Sequence, residues 1–318
     1  MNHPSARSAP ALLERNIMLK RSSWVLAFLI ALYISPAALA QQDFSKVEIK
    51  ATKVAGAVYM LEGAGGNIGV SVGPDGILIV DDQFAPLADK IRAALKTLGD
   101  GKLKFVLNTH YHGDHTGGNA KFGPEAPIIA HDNVRKRLAQ ENKVLGQVVP
   151  ASPTEALPVI TFDQSLSVFF NGEEIRAVHF PHGHTDGDSV IFFTGSNVVH
   201  MGDDFFAGRF PFVDIDNGGD IENLAKNVAD ILGRLPAGAK IIPGHGPLST
   251  SEDLKLFHRM LVETTDGVRK QIAAGKTLDQ IKSAGLPAEW KSWGTGFIKT
   301  PQWLELVYQS LTKRPAGK

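Results

Sequence analysis

The sequence predicts an α/β protein folded as a four-layer αββα sandwich, two sheets stacked face to face with helices outside, followed by a helical appendage. Three observations carry this reading. The order strands, helix, strand, helix, then strands, helix, strand describes two similar halves, each a sheet covered by helices on one face. Apolar residues fill 43% of 318 positions, enough for a large core. Beyond Pro247 every periodic stretch has helical spacing.

The first forty residues stand apart. Lys20-Arg21 precede the apolar stretch Trp24 to Ile34, then come Ser35-Pro36 and the small-residue site Ala38-Leu39-Ala40, the layout of a secretory signal peptide (residues 1–40) cut after Ala40. Its apolar core is about a dozen residues long where a bilayer span needs roughly twenty, so no stable membrane span is expected. Met18 gives a short positive lead and is the expected start. Cleavage removes four basic residues (Arg7, Arg15, Lys20, Arg21) and one acidic (Glu14), leaving 29 basic against 32 acidic. A mildly acidic, periplasmic or secreted protein follows, with no nucleic-acid partner. The chain has no cysteine, hence neither disulfides nor a thiolate nucleophile or ligand.

Alternating and β-branched runs at Val47 to Lys53, Val58 to Leu61, Asn67 to Val72 and Ile77 to Val80 form an antiparallel meander, punctuated by Gly63-Ala64-Gly65-Gly66 and Pro74-Asp75-Gly76. Helical spacing follows from Pro86 to Leu98, then the short strand Phe105-Val106-Leu107. Asp132 caps a helix expected to run to about Val144. Strands at Leu166 to Phe170, Glu174 to Phe180, Ser189 to Thr194 and Asn197 to Met201, a helix near Ile221 to Leu235 and the strand Lys240 to Ile242 complete the catalytic unit, residues 41–248. The appendage, 249–318, has helices at Glu252 to Ala274, Leu278 to Ala284 behind the capping box Thr277 to Gln280, and Pro301 to Thr312.

Chemistry concentrates in Thr109-His110-Tyr111-His112-Gly113-Asp114-His115. His110 and His112 alternate along extended backbone and project to one side, while Gly113 bends the chain and turns Asp114 and His115 toward a second ion. Three more glycine-rich loops follow apolar strands: Pro181-His182-Gly183-His184, Gly202-Asp203-Asp204 and Pro243-Gly244-His245-Gly246. Taking His184, Asp203 and His245 from them gives two sites, His110, His112 and His184 on one ion, Asp114, His115 and His245 on the other, with Asp203 touching one or both. Nitrogen and oxygen donors suit two Zn2+ ions and are compatible with iron or manganese.

These motifs, with Asp81 at a strand end, occur in the order found in the metallo-β-lactamase superfamily, which the chain resembles from about Val47 to Leu248. The resemblance implies an αββα sandwich with a dinuclear metal site at one sheet edge. It favours His184 over His182 and Asp203 over Asp204, while the place of Asp81 at the end of the apolar strand Ile77 to Val80 makes it a residue that orients a ligand histidine or the metal loop. Asp82 is expected to be an exposed neighbour. His131, His179, His200 and His258 read as structural, Asp186 and Asp188 as turn residues, and Gly63 to Gly66 as either a flap or a hairpin turn. Trp290, Trp293 and Trp303 are expected to pack the appendage on the sandwich, with a place at the mouth of the site left open to one of them.

Two ions sharing a water lower its pKa from 15.7 to roughly 7, so a hydrolase needs no protein nucleophile, and Asp114 would orient that water and relay its proton. Export favours a β-lactamase-like enzyme acting on a cyclic amide or other small acyl substrate, with a role in antibiotic resistance. Two departures stand against it: Asp203 replaces the cysteine of one β-lactamase group, and Phe206 stands where that group has a lysine, which leaves Arg209 to hold a carboxylate. Asp203 instead resembles the glyoxalase II and lactonase branches, so a thioesterase or lactonase is the alternative, although Lys255, Arg259 and Lys282 do not map onto that branch's glutathione-binding residues. A periplasmic metal-binding protein without catalysis is the non-enzyme alternative. It is disfavoured because the ligand set leaves room for water at each ion.

Overall fold

In the computed structural model, which describes residues 43–313, the strands sort into two main sheets. The signal peptide, its cleavage site and the start expected at Met18 lie outside the described residues. Strands β1 (Lys50–Ala55), β2 (Val58–Glu62), β3 (Ile68–Gly73) and β4 (Gly76–Val80) form the antiparallel meander. Helix α1 (Ala88–Leu98) then carries the chain to β5 (Leu103–Leu107), parallel to β4. Two short helices, α2 (Gly113–Thr116) and α3 (Asn119–Phe122), lead to β6 (Ile128–His131) and α4 (Asp132–Leu138). A separate hairpin follows, β7 (Asn142–Val144) and β8 (Gln147–Val149), before β9 (Ile160–Phe162) closes the seven-stranded sheet in the order β1-β2-β3-β4-β5-β6-β9.

The second sheet has five strands, β10 (Ser165–Phe170), β11 (Glu173–His179), β12 (Ser189–Phe193), β13 (Val198–His200) and β14 (Lys240–Ile242), in sequence order. The first four are antiparallel, and α5 (Ile221–Arg234) returns the chain so that β14 lies parallel to β13. The appendage consists of α6 (Ser251–Ala273), α7 (Leu278–Ala284), a 3-10 segment at Ala288–Thr295 and α8 (Thr300–Thr312).

The layering follows from the two-residue period of a strand. In β4, Leu78 and Val80 face the second sheet and meet Ile175, Ile191 and Phe193, whereas Ile77 and Ile79 face outward and pack with Ile91 and Leu95 of α1. A third core lies on the far side of the second sheet. There Val190, Val199 and Ile241 meet Leu224, Val228 and Ile231 of α5, and the same cluster runs on through Phe257 and Leu261 of α6 to Trp290, Trp293 and Trp303. The appendage therefore shares a continuous core with the sandwich. Trp303 stacks on Phe210 at 5.4 Å and donates from Nε1 to Thr264 Oγ1 at 3.1 Å.

The helix expected from Asp132 to about Val144 is shorter than that. His131 caps it, Nδ1 accepting from Asn133 N at 3.2 Å, and Asp132 is its first helical residue. It ends at Leu138 because the Asn142 side chain donates to Arg137 O at 2.6 Å and Gln140 O at 3.0 Å, taking up carbonyls that a continuing helix would use. The chain then reverses through Leu145 and Gly146, both at positive φ, to make the hairpin. No helix among the described residues is long and apolar enough to cross a membrane.

Candidate metal centre

The C-terminal ends of β4, β5, β11, β13 and β14 meet at one edge of the two sheets, and each delivers polar side chains to the same place. His110, His112, His184 and Asp203 form one group and Asp114, His115 and His245 a second, the donor atoms of each lying within 4.8 Å of one another. Asp203 joins the groups. Its Oδ2 is 3.5 Å from His184 Nε2 and 3.8 Å from His110 Nε2, while its Oδ1 is 3.0 Å from His115 Nε2 and 3.4 Å from His245 Nε2. Asp114 Oδ2 sits 3.2 Å from His245 Nε2 and 3.7 Å from His115 Nε2.

Outer partners decide which nitrogen each ring turns inward. Asp81 accepts from His115 Nδ1 at 2.8 Å and, through its other contacts, from Thr109 N and Thr109 Oγ1, both at 2.8 Å. Asp81 holds the ligand loop through His115 and Thr109 and is itself a member of neither group. His184 Nδ1 donates to Phe212 O at 2.8 Å. Asp214, which carries no motif, accepts from His112 Nε2 at 2.9 Å and from Tyr111 Oη at 2.5 Å, with Asn217 Nδ2 donating to both of its oxygens at 2.9 Å.

These bonds test whether the donor set fits a metal. With His112 Nε2 and His184 Nδ1 committed as donors, the inward atoms His112 Nδ1 and His184 Nε2 present lone pairs to each other at 2.8 Å. Two lone pairs at that separation repel unless a cation sits before them. His110 Nε2 is buried beside them with no hydrogen-bond partner. Burial, reinforced by His115, pushes His110 well below its ordinary 6.5, and burial lowers His184 to about 4, so both are neutral donors. The carboxylates are ionised. Burial would raise Asp114, but His115 and the hydrogen bond with His245 hold it down at about 2, and at Asp203 the histidines likewise outweigh burial. In turn Asp203 and Asp114 outweigh burial at His245 and lift it to about 9. Buried acids thus collect positive charge between the two groups, and the set is that of a metal-binding His/Asp cluster.

Two close approaches to the ligands leave no room for a side chain. A Cβ at Gly66 would lie 2.1 Å from His115 Cε1, and one at Gly244 would lie 2.1 Å from Asp203 Oδ1. The Gly63 to Gly66 segment is the connection between β2 and β3, with Gly66 N donating to Asp114 O at 3.0 Å. Next to it, Asn67 Nδ2 donates to Pro243 O at 2.9 Å and Gly246 O at 2.8 Å, clamping the loop that bears His245.

His182 points away: it is exposed, at φ 53°, with Nδ1 against Gly218 O at 2.9 Å. Asp204 is buried behind His184 N at 3.4 Å, outside both groups, and burial followed by Asp188 raises its pKa well above the carboxylate range. Asp188 accepts from Thr185 N at 2.7 Å and so closes the turn there, and Asp186 pairs with Arg137 at 2.6 Å. The expectation that Asp82 is exposed fails. It is fully buried, its Oδ1 accepting from Gly118 N at 2.8 Å, because the glycine loop after α2 folds back over the strand end. His131 and His179 stack at 3.7 Å, and His200 Nε2 meets Asn67 O at 3.0 Å, all outside the two groups.

Asp114, Asp203 and His245 open onto a cavity of about 610 Å³ with mostly apolar walls, among them Phe84, Phe206, Phe212 and the β7–β8 hairpin. None of the three appendage tryptophans lines it; Phe297 does.

Residues 54–247 match the family model described as "Metallo-beta-lactamase superfamily". The alpha subunit of 2,4-dinitroanisole O-demethylase from Nocardioides sp. strain JS1661 is 30% identical over 139 residues, 43% of this chain and 40% of that protein. A hydroxyacylglutathione hydrolase from Polaromonas sp. strain JS666 is 30% identical over 159 residues, 47% of this chain and 53% of that one. The chain thus spans about half the length of these curated relatives. Among solved structures, a metallo-β-lactamase from Pontibacter korlensis superposes with a TM-score of 0.56 at 16% identity, covering 67% of this chain and 99% of that one.

Proposed function

This chain belongs to the metallo-β-lactamase superfamily, and from that premise we propose that it is a metal-dependent hydrolase that is exported and cleaves a small acyl substrate, first among them a cyclic amide of the β-lactam type. The observation that carries the reading is the bridged His/Asp cluster at the floor of a cavity large enough for a drug-sized ligand. Two Zn2+ ions held by His110, His112 and His184 and by Asp114, His115 and His245, or iron or manganese in their place, would supply Lewis acidity and a water ionisable near neutral pH. The chain's residues do the rest. Asp114, held at about 2, stays ionised and accepts a hydrogen bond from water entering at the cavity floor, which fixes that water's orientation. Phe206, stacked on His245 at 4.9 Å, and Phe212, 5.8 Å from His184, wall the cavity beside the cluster with apolar surface, which strengthens the effect of charge there.

A thioesterase or lactonase is the second reading, favoured by the bridging geometry of Asp203 and by the likeness to a hydroxyacylglutathione hydrolase. A glutathione thioester would need anchors elsewhere than on the appendage, since Lys255, Arg259 and Lys282 are each paired with glutamates at 2.7, 2.5 and 2.7 Å and none lines the cavity. The test is kcat/KM of the purified chain on a β-lactam, a lactone and a thioester, with and without chelation. Export is checked by sequencing the amino terminus of protein from a periplasmic extract, expected to begin at Gln41; an intact Trp24 segment would contradict it.

A further inference from the structure

The cavity has an apolar lip that stands in water. Leu145 at the tip of the β7–β8 hairpin is 53% exposed, Val149 41% and Phe297 70%, and all three line the cavity. Neighbouring apolar side chains left in water mark a surface that a ligand covers. In the same wall is Arg209, an arginine with no hydrogen-bond or ion-pair partner among the described residues, whereas Arg137 on the same cavity is held by Asp186 at 2.6 Å and Asn217 at 2.9 Å. A planar guanidinium without a partner, set in apolar surroundings, is a ready donor pair for a carboxylate or sulfonate.

The appendage builds both features. Phe210 N donates to Trp293 O at 3.2 Å, which ties the Arg209 loop to the 3-10 segment. A Cβ on Gly296 would lie 3.1 Å from Arg209 Cβ, so the arginine stem rests on that glycine, and the next residue is Phe297.

We propose that the appendage turns this cavity into a receptor for amphiphilic acids, acyl compounds whose apolar body lies between the β7–β8 hairpin and Phe297 and whose anionic group pairs with Arg209. The claim rests on the acyl-hydrolase reading for the bond that is cleaved, but the binding it describes is measured without turnover. Arg209 and Phe297 select the substrate; neither belongs to the reacting cluster.

The full chain, zinc-loaded and metal-free, is titrated with two fluorescent probes that share an apolar body, anilinonaphthalene sulfonate, which is anionic, and phenylnaphthylamine, which is neutral. The expected result is one site per chain with tighter binding of the anion. Arg209→Ala weakens the anionic probe by about tenfold or more and moves the neutral one by less than about twofold. Arg209→Lys retains part of the preference, and Phe297→Ser weakens both probes. Gly296→Val, at a φ of −71° that any residue adopts, displaces the arginine stem and lowers the anion preference with the circular dichroism unchanged. An Arg209→Ala chain with the parent's ratio of affinities overturns the proposal, as does a parent chain that binds neither probe. A chain that binds them as expected yet hydrolyses no acyl substrate would refute the acyl-hydrolase reading alone.

Discussion

Replacing Asp214 by alanine removes one buried carboxylate that serves three donors. Tyr111 Oη at 2.5 Å, His112 Nε2 at 2.9 Å and Asn217 Nδ2 at 2.9 Å all lose their acceptor. For His112 the loss is chemical as well as structural, since this bond keeps the proton on Nε2 and the lone pair of Nδ1 turned toward His184. Removing such an outer partner weakens a metal site by about 10- to 100-fold, or roughly 1.4–2.8 kcal/mol. The stranded donors add a cost to folding of about 1–3 kcal/mol for each one that water does not reach. Tyr111 borders the cavity and can turn to solvent, so the lower end applies to it. The assay is competition for zinc against a chelator of known affinity, paired with thermal unfolding. The first ion should bind about 10- to 100-fold more weakly and the second within a few-fold of the parent. Asp214→Asn should fall between, because its remaining oxygen still accepts from His112. Zinc affinity unchanged within about twofold in Asp214→Ala would refute the reasoning.

Four further outcomes follow from the same geometry. Asp203→Ala should lower zinc content from about two per chain toward one, because a carboxylate with one oxygen on each group is lost; unchanged stoichiometry would transfer the bridge to another residue. Gly66→Ala places a methyl group 2.1 Å from the His115 ring, so both turnover and the second ion should be lost in a chain that still folds; full retention of both would show that the loop yields. Trp303→Ala should cost about 3–5 kcal/mol in chemical denaturation, since its ring is fully buried, and a loss under about 1 kcal/mol would mean that the appendage packs independently of it. Burial, then the stacked His179, depresses His131 to about 4 from 6.5, so the folded chain favours the neutral ring. That contribution is complete above pH 6.5 and is lost as pH falls from 6.5 toward about 4. The melting temperature of His131→Gln should therefore fall less over this interval than that of the parent, and parallel curves would contradict the assignment.

The sheets and the ligand loops were legible because their signals are local. Alternating runs such as Ile77 to Val80 announce a strand within a few residues, and His110 to His115 places four donors on one loop. What the sequence hid depends on residues that meet only after folding. Asp214 lies in Phe210-Pro211-Phe212-Val213-Asp214, a stretch without period or motif, and reaches His112 from 102 positions away. Asp82 reads as the outer neighbour of Asp81, but burial there is imposed by the Gly117-Gly118 loop, whose amide supplies the hydrogen bond. Strand β7 reads as the end of the helix from Asp132 because no proline or glycine interrupts Arg137 to Val144, and the Asn142 side chain takes up the Arg137 carbonyl only once the chain has folded. Gly63 to Gly66 is informative for the opposite reason. Its composition allows a flap or a turn, and what the fold adds is a steric fact, the His115 ring against Gly66.

Hydrolysis of a small acyl bond at a two-metal centre is tested most directly by kcat/KM of the chain loaded with two zinc ions, on a β-lactam, a lactone and a thioester, before chelation, after it, and after zinc is restored. At least one class should be cleaved at about 10⁵ M⁻¹ s⁻¹ or faster, with loss on chelation and recovery on readdition. Turnover that ignores chelation, or no turnover of any class with both ions bound, would contradict it.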